Sequence, residues 1–344
     1  MSSHKLRAEV ADRASVRGVA SAYNGAGMNY AAYADGDSDP RKLFSFDGLH
    51  AYPDKQVWNL LEAKLRALRA AGANAVSILD AGCGPGTWLR RLVLHARDLG
   101  FSSIRARGFD IAEVQIYAAR RRAGEFSDLP GVDLKFDVAD ILAGLPEPPA
   151  TVDITLCLYS VLSHVAVRAL PRALEELARV TRGHFIATVR AIGSTPTIFV
   201  DSVDKAAAFK LDYVHDRCLI KFRNGSDIEL PFHLFTSEEL ETRLGMFFEV
   251  EDLRGLDIFH NRFAPDHRWN PDSVEADERL LSRLANLEET HTRNPDFIDR
   301  ANHLLFLGRP RMTNVRKSEP RDIKSISCKA VRDAPSVPAP RDSI

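Results

Sequence analysis

The run Asp80-Ala-Gly82-Cys83-Gly84-Pro85-Gly86-Thr87 puts an aspartate and three alternate glycines between two apolar-rich stretches. Glycine at alternate positions of a strand-to-helix turn lets something come close to the backbone, either a ligand or only a neighbouring strand. The unpaired N–H groups at a helix start favour phosphates and other anions there. A triphosphate-binding loop carries a lysine after its glycines, and none follows here. A dinucleotide turn reads GxGxxG. In this chain the third glycine comes one residue early, giving GxGxG, and an acid precedes the set.

Other residues with chemical potential lie downstream. Asp110 ends the run IRARGFD, and Asp140 sits in FDVADI. After the apolar run DITLCLY come Tyr159, Ser160, Ser163 and His164. Histidine has the side-chain pKa nearest neutrality, so His164 is the candidate base, against a packed or capping role. The segment GLDIFHNRFAPDHRWNP carries His260, Arg262, Asp266, His267, Arg268 and Trp269. Arginines beside aromatics can hold an acidic or planar substrate, or the segment is a loop tied by local ion pairs. Near the start, AYNGAGMNYAAY supplies Tyr23, Tyr30 and Tyr33, which suit a lid over a site or plain surface packing. Paired ligand spacings such as HxxxH are missing, so no metal site is expected. Cys83 reads as a small filler and not as a nucleophile.

These residues need a scaffold to bring them together. Ala75–Asp80 reads as a buried strand and Thr87–Leu99 as a helix. Ile104–Asp110, Val132–Phe136, Asp153–Tyr159 and His184–Val189 read as further strands, with helices over Glu113–Ala123 and Leu170–Thr181. Before them, Val57, Leu60, Leu61, Leu65 and Leu68 recur at helical spacing, with Asp54 as the expected N-cap. Strands alternating with helices imply parallel pairing and right-handed crossovers. The expectation is an α/β Rossmann-like sheet of seven mainly parallel strands, flanked by helices. After Arg190 the pattern changes. RCLIKFRNGSDIELPFHLF predicts a two-stranded hairpin around Asn224-Gly225, and Thr236-Ser-Glu-Glu a capped helix. A helix over Ser273–Glu289 and two late strands, FFEVEDLRGL and HLLFLGRP, complete the pattern.

The expected division is a lid segment over 1–50, a main domain over 51–310 with an antiparallel cap insertion over about 191–235, and a tail over 311–344. The stretch 309–344 holds nine basic and four acidic residues, a net of +5. With the whole chain at −1, the rest carries −6. Its five prolines and few large apolar groups predict a disordered basic tail. The 344 residues, 45% hydrophobic and 27% charged, are ordinary for a globular protein. The near-neutral charge gives no general reason to expect nucleic acid or an anionic membrane. Four scattered cysteines, the absence of an apolar run near ~18 residues and the lack of a signal-peptide centre predict a cytoplasmic protein.

DAGCGPGT resembles the first motif of the class I S-adenosylmethionine-dependent methyltransferases. GFDIAEVQIYAARRR, FDVADI and VDITLCLYSVLSHV resemble the family's second, third and fourth motifs, in order and at suitable spacing. HLFTSEEL and HLLFLGRP are similar to later elements, so the resemblance covers most of residues 50–310 apart from the hairpin. It implies S-adenosylmethionine as cofactor and S-adenosylhomocysteine as product. It also implies a donor site of Asp80, Gly82, Gly84, Gly86, Thr87, Asp110, Ile111, Asp140, Ile141 and Leu158. There the glycines admit the methionine part, Asp80 orders the loop or meets its ammonium, Asp110 meets the ribose diol, and Asp140 meets the adenine amino group. His164 and Tyr159 are the catalytic candidates. Tyr23, Tyr30, Tyr33, His260, Arg262, Arg268 and Trp269 are the substrate candidates. The expected partner is a small-molecule acceptor methylated on O or N, as in natural-product biosynthesis, with a homodimer as the assembly to test. Methylation of RNA or a protein side chain is the rival. A NAD-dependent oxidoreductase and a non-catalytic cofactor-binding protein rank below it.

Overall fold

The protein is described by a computed structural model, which covers residues 16–24, 43–46, 51–126, 129–194, 206–260 and 278–311. Residues 16–24 form helix α1. Then follow α2 (Ala51–Ala70), β1 (Ala75–Ala81), α3 (Thr87–Asp98), β2 (Ser103–Asp110), α4 (Glu113–Ala123), β3 (Val132–Val138), β4 (Val152–Cys157), α5 (Leu170–Val180) and β5 (Thr181–Arg190). Three short strands, β6 (Ala206–Asp212), β7 (Arg217–Phe222) and β8 (Asp227–Pro231), come next. They are followed by α6 (Ser237–Gly245), β9 (Phe248–Leu256), α7 (Glu278–His291) and β10 (His303–Pro310).

Seven strands make one sheet in the order β3-β2-β1-β4-β5-β10-β9. β1 pairs in parallel with both β2 and β4, and β10 runs antiparallel to β5 and β9. The chain therefore winds outward in one direction from β1 and then in the other from β4. A crevice opens at the carboxyl ends of strands where the order reverses, and ligands bind there in such sheets. Helices on the faces explain why all six residues of β4 are buried, the polar Asp153 and Thr155 included. On α5, Leu170, Ala173, Leu174, Leu177 and Val180 are buried at three- and four-residue spacing. The antiparallel end of the sheet is anchored by Phe185 stacked on Phe248, with centroids 4.5 Å apart.

Several local expectations need correction. Asp54 is not an N-cap. The helix begins three residues earlier, at Ala51, and Asp54 in its first turn is the acceptor for the Tyr159 hydroxyl. β4 stops at Cys157 and not at Tyr159, because Tyr159 and Ser160 take positive φ values of 51° and 77°. The expected hairpin has a third strand, and β6-β7-β8 form a separate antiparallel sheet. The Asn224-Gly225 turn does join β7 to β8, with Gly225 at φ 87°. Thr236 caps α6 by accepting from the Glu239 N–H at 3.1 Å. The Glu239 carboxylate turns instead to His233 and Arg243, so the reciprocal half of a capping box is not made. The predicted tail from 312 onward lies outside the described residues.

Candidate active site

The glycine turn joins β1 to α3 beside the end of β2. Gly82 and Cys83 donate their N–H groups to the Phe109 carbonyl at 2.8 and 3.0 Å. Gly84 N–H donates to Asp110 Oδ2, and Ala112 N–H donates to Asp110 Oδ1, both at 2.9 Å. Asp110 thus shapes the turn from across the crevice and leaves further lone pairs on both oxygens for a ligand. Burial pushes its carboxyl upward, against the pull of these backbone donors.

The three glycines serve different ends. A side chain on Gly82 would strike Val161 at 2.2 Å, and one on Gly86 would strike the Phe136 ring at 2.6 Å. Internal packing accounts for both. A side chain on Gly84 would meet nothing within 4 Å, so only Gly84 faces open space, at φ 50°. Of the three, it is the one with room beside its bare backbone, in a turn where Gly84 is itself buried.

Asp80, at the end of β1, is 2% exposed. Its Oδ2 is buried and has no hydrogen-bond partner among the described residues. Burial, followed by the charge of Asp110, raises its carboxyl to about 7. A half-ionised carboxylate buried in a crevice without a donor calls for a cationic or N–H-bearing guest. Thr87 and Leu158 are buried around this turn, and Ile111 is half-buried. Asp140 Oδ1 accepts from the Leu142 N–H at 2.9 Å, which holds the turn containing the buried Ile141. The ten residues come from the ends of β1, β2, β3 and β4. They offer an unpartnered acid oxygen, open space at one glycine and two aspartates already held by backbone donors. The thiol of Cys83 is pushed up by burial, which leaves it inert as a nucleophile. Among the described residues no group of side chains could hold a metal ion.

The catalytic candidates stand on the turn after β4. Tyr159 donates its hydroxyl to Asp54, and its backbone N–H donates to Thr188 Oγ1 at 2.6 Å. Burial and the Asp54 charge raise its phenol well above the usual range. A phenol raised in this way stays protonated at pH 7, and its hydroxyl is already committed to Asp54. His164 lies between two elements. Its Nδ1 is 3.0 Å from the Pro231 carbonyl and its Nε2 is 2.8 Å from the Tyr23 hydroxyl. A carbonyl can only accept, so Nδ1 carries the proton and Nε2 accepts from the phenol. Burial lowers His164 to about 4, so it is neutral at pH 7.

The substrate candidates separate. Tyr23 on α1 reaches His164. His260 stacks on Tyr52 with centroids 5.1 Å apart, and its N–H donates to Glu288 Oε1 at 2.9 Å. Tyr30, Tyr33, Arg262, Arg268 and Trp269 lie outside the described residues. Two contributors were missed. Arg91, 4% exposed, reads as one more cation on an amphipathic helix, and Asp54 reads as a cap. No local sequence signal marks either, since both act across more than 30 residues.

A family model described as a methyltransferase domain matches residues 78–184. A curated protein of Aspergillus luteorubrus, named Probable methyltransferase ltbC, is 36% identical over 116 residues, which are 32% of this chain and 38% of that protein. The chain thus spans well under half of that relative's length. Among solved structures, a DhpI–SAH complex is similar at 14% identity over 86% of this chain and 97% of that one, with a TM-score of 0.44. A geranyl diphosphate C-methyltransferase from Streptomyces coelicolor A3(2) is similar at 14% identity over 78% and 83%, also with a TM-score of 0.44.

Proposed function

We propose that this chain, whose residues 78–184 match a family model described as a methyltransferase domain, is a class I S-adenosylmethionine-dependent methyltransferase that transfers a methyl group to an O or N atom of a small metabolite. The family's donor supplies an electrophilic methyl carried on a sulfonium. The observation that carries the donor reading is the buried, unpartnered Asp80 oxygen, together with the open space at Gly84 in the same turn. Asp80 would take the donor's ammonium. Asp110 would accept from the ribose hydroxyls while it holds Gly84, and Asp140 and Ile141 would meet the adenine edge.

Transfer to a hydroxyl or an ammonium also needs a proton taken away. His164 would take it through Tyr23. The phenol already donates to His164 Nε2, so its oxygen can accept from an acceptor group while its own proton passes to the imidazole. A neutral His164 is available for that step throughout the physiological range. The low basicity imposed by burial limits it to assisting proton loss late in the transfer. Natural-product intermediates suit such a site in this reading, because α1, the turn after β4 and the separate three-stranded sheet converge on His164.

Titration calorimetry with S-adenosylhomocysteine and with NAD tests the donor. Binding of the first and not the second is expected; the reverse result would overturn the reading. Activity on a panel of small hydroxyl- and amine-bearing compounds, set against bulk RNA and protein, tests the acceptor class.

A further inference from the structure

The Arg91 side chain is buried on α3, one turn beyond the glycine motif, and makes three contacts with elements distant in sequence and a fourth within its own helix. Its Nε donates to the Leu43 carbonyl at 2.5 Å. Its Nη1 lies 3.4 Å from Asp54 Oδ2. Its guanidinium carbon sits 4.8 Å from the ring centroids of both Phe46 and Trp88. A planar, permanently charged guanidinium can stack on rings and still donate at its edge, which an ammonium cannot do. Asp54 carries the chain of contacts onward, since it accepts from the Tyr159 hydroxyl. The Tyr159 ring in turn stacks on Trp88 with centroids 6.4 Å apart. The circuit closes on itself: Arg91, Asp54, Tyr159, Trp88 and back to Arg91.

Two members of this circuit adjoin residues of the proposed donor site in sequence. Trp88 is the second residue of α3, immediately after Gly86 and Thr87. Tyr159 follows Leu158, at a backbone position held at positive φ. We propose that Arg91 is a positioning residue for donor binding, fastening residues 43–46 and the first turn of α2 to α3 and, through Asp54, setting the Tyr159 turn against the glycine loop. The inference rests on the methyltransferase reading and adds to it a residue that does not itself touch the donor.

Trp88 gives an optical readout at the site. Binding of S-adenosylhomocysteine to the full chain is followed by tryptophan fluorescence, alongside thermal unfolding. R91K keeps the charge and loses the planar stack. It is expected to bind about tenfold more weakly, the equivalent of losing one desolvated cation–π and charge contact. Y159F should weaken binding less and in the same direction. The diagnostic is the pair. If Arg91 acts through Asp54 and Tyr159, the R91K/Y159F double variant binds no more weakly than R91K alone; losses that multiply mean independent effects and overturn the proposal. Unchanged affinity in a folded R91K overturns it as well. Should R91K fail to unfold cooperatively, F46L takes its place: it keeps Arg91 and removes one ring face. About a threefold weakening is then expected by the same reasoning, and unchanged affinity overturns the proposal. Wild type that fails to bind overturns the methyltransferase reading itself. Wild type that binds, with variants that bind equally, overturns this inference alone.

Discussion

Replacing Asp80 with Asn should make the protein more stable and worse at its task. The folded carboxyl sits at about 7, against an ordinary value of 3.8. The native state therefore holds the proton more tightly than the unfolded chain does. A carboxylate raised in this way costs nothing at low pH, where both states are protonated. The cost grows as pH climbs from 3.8 through 7 and is constant above. Three units correspond to at most about 4 kcal/mol of destabilisation at pH 8. An amide still buries a polar group, so D80N should recover about 1–3 kcal/mol of that at pH 8. Little should be recovered at pH 4. Donor binding should move the other way. Loss of a charge-assisted contact to an ammonium is worth about 2–3 kcal/mol, or about 30- to 160-fold in affinity. Wild-type affinity should itself depend on pH. At pH 6 about a tenth of Asp80 is ionised, so S-adenosylhomocysteine should bind about tenfold more weakly than at pH 8, while D80N shows no step through pH 7. Urea unfolding at pH 4 and 8, with calorimetric titration at pH 6 and 8, measures all four quantities. Equal affinity of D80N and wild type at pH 8, or a flat wild-type profile, refutes the ammonium contact. A D80N protein no more stable than wild type at pH 8 refutes the uncompensated burial.

The glycines give a contrast within one turn. Gly82→Ala should cost about 2–4 kcal/mol of stability through left-handed strain and the clash with Val161. Gly84→Ala should cost only about 1–2 kcal/mol yet abolish donor binding, as read by melting and titration on the same samples; a Gly84→Ala protein that binds normally removes that glycine from the donor site. Asp110→Ala releases the Gly84 and Ala112 N–H groups as well as the ribose contact, and donor affinity should fall at least about a hundredfold; unchanged affinity would count against the ribose role. Tyr23→Phe should lower kcat by about 10- to 100-fold with donor affinity unchanged, and His164→Ala should behave alike; normal turnover in either would sink the proton relay.

The sheet was readable from sequence because periodicity reports burial. Runs such as DITLCLY and HLLFLGRP are mostly apolar because they are covered on both faces. The proposed donor side was legible through a motif resemblance, because a strand-to-helix turn draws Asp80 and its glycines from adjacent positions, whereas only the fold separates Gly84 from Gly82 and Gly86. Failures came where local rules and distant contacts compete. Asp54 has the type and place of a cap, yet its carboxylate is drawn 105 residues along the chain to Tyr159. Tyr159 continues an apolar run and looks like strand, while its backbone turns over into positive φ. His164 looked basic by residue type, and burial took that basicity away against the upward pull of the Pro231 carbonyl. Periodicity carries no information about such partners, because they belong to elements that meet only in the fold.

Asp110 has a consequence for the speed and thrift of binding. The same carboxylate that would greet the donor already grips the Gly84 and Ala112 amides, so the turn is set before any guest arrives. Ordering a glycine-rich segment on arrival would drain entropy from the encounter. Here that loss is settled during folding, and association is left to diffusion and desolvation.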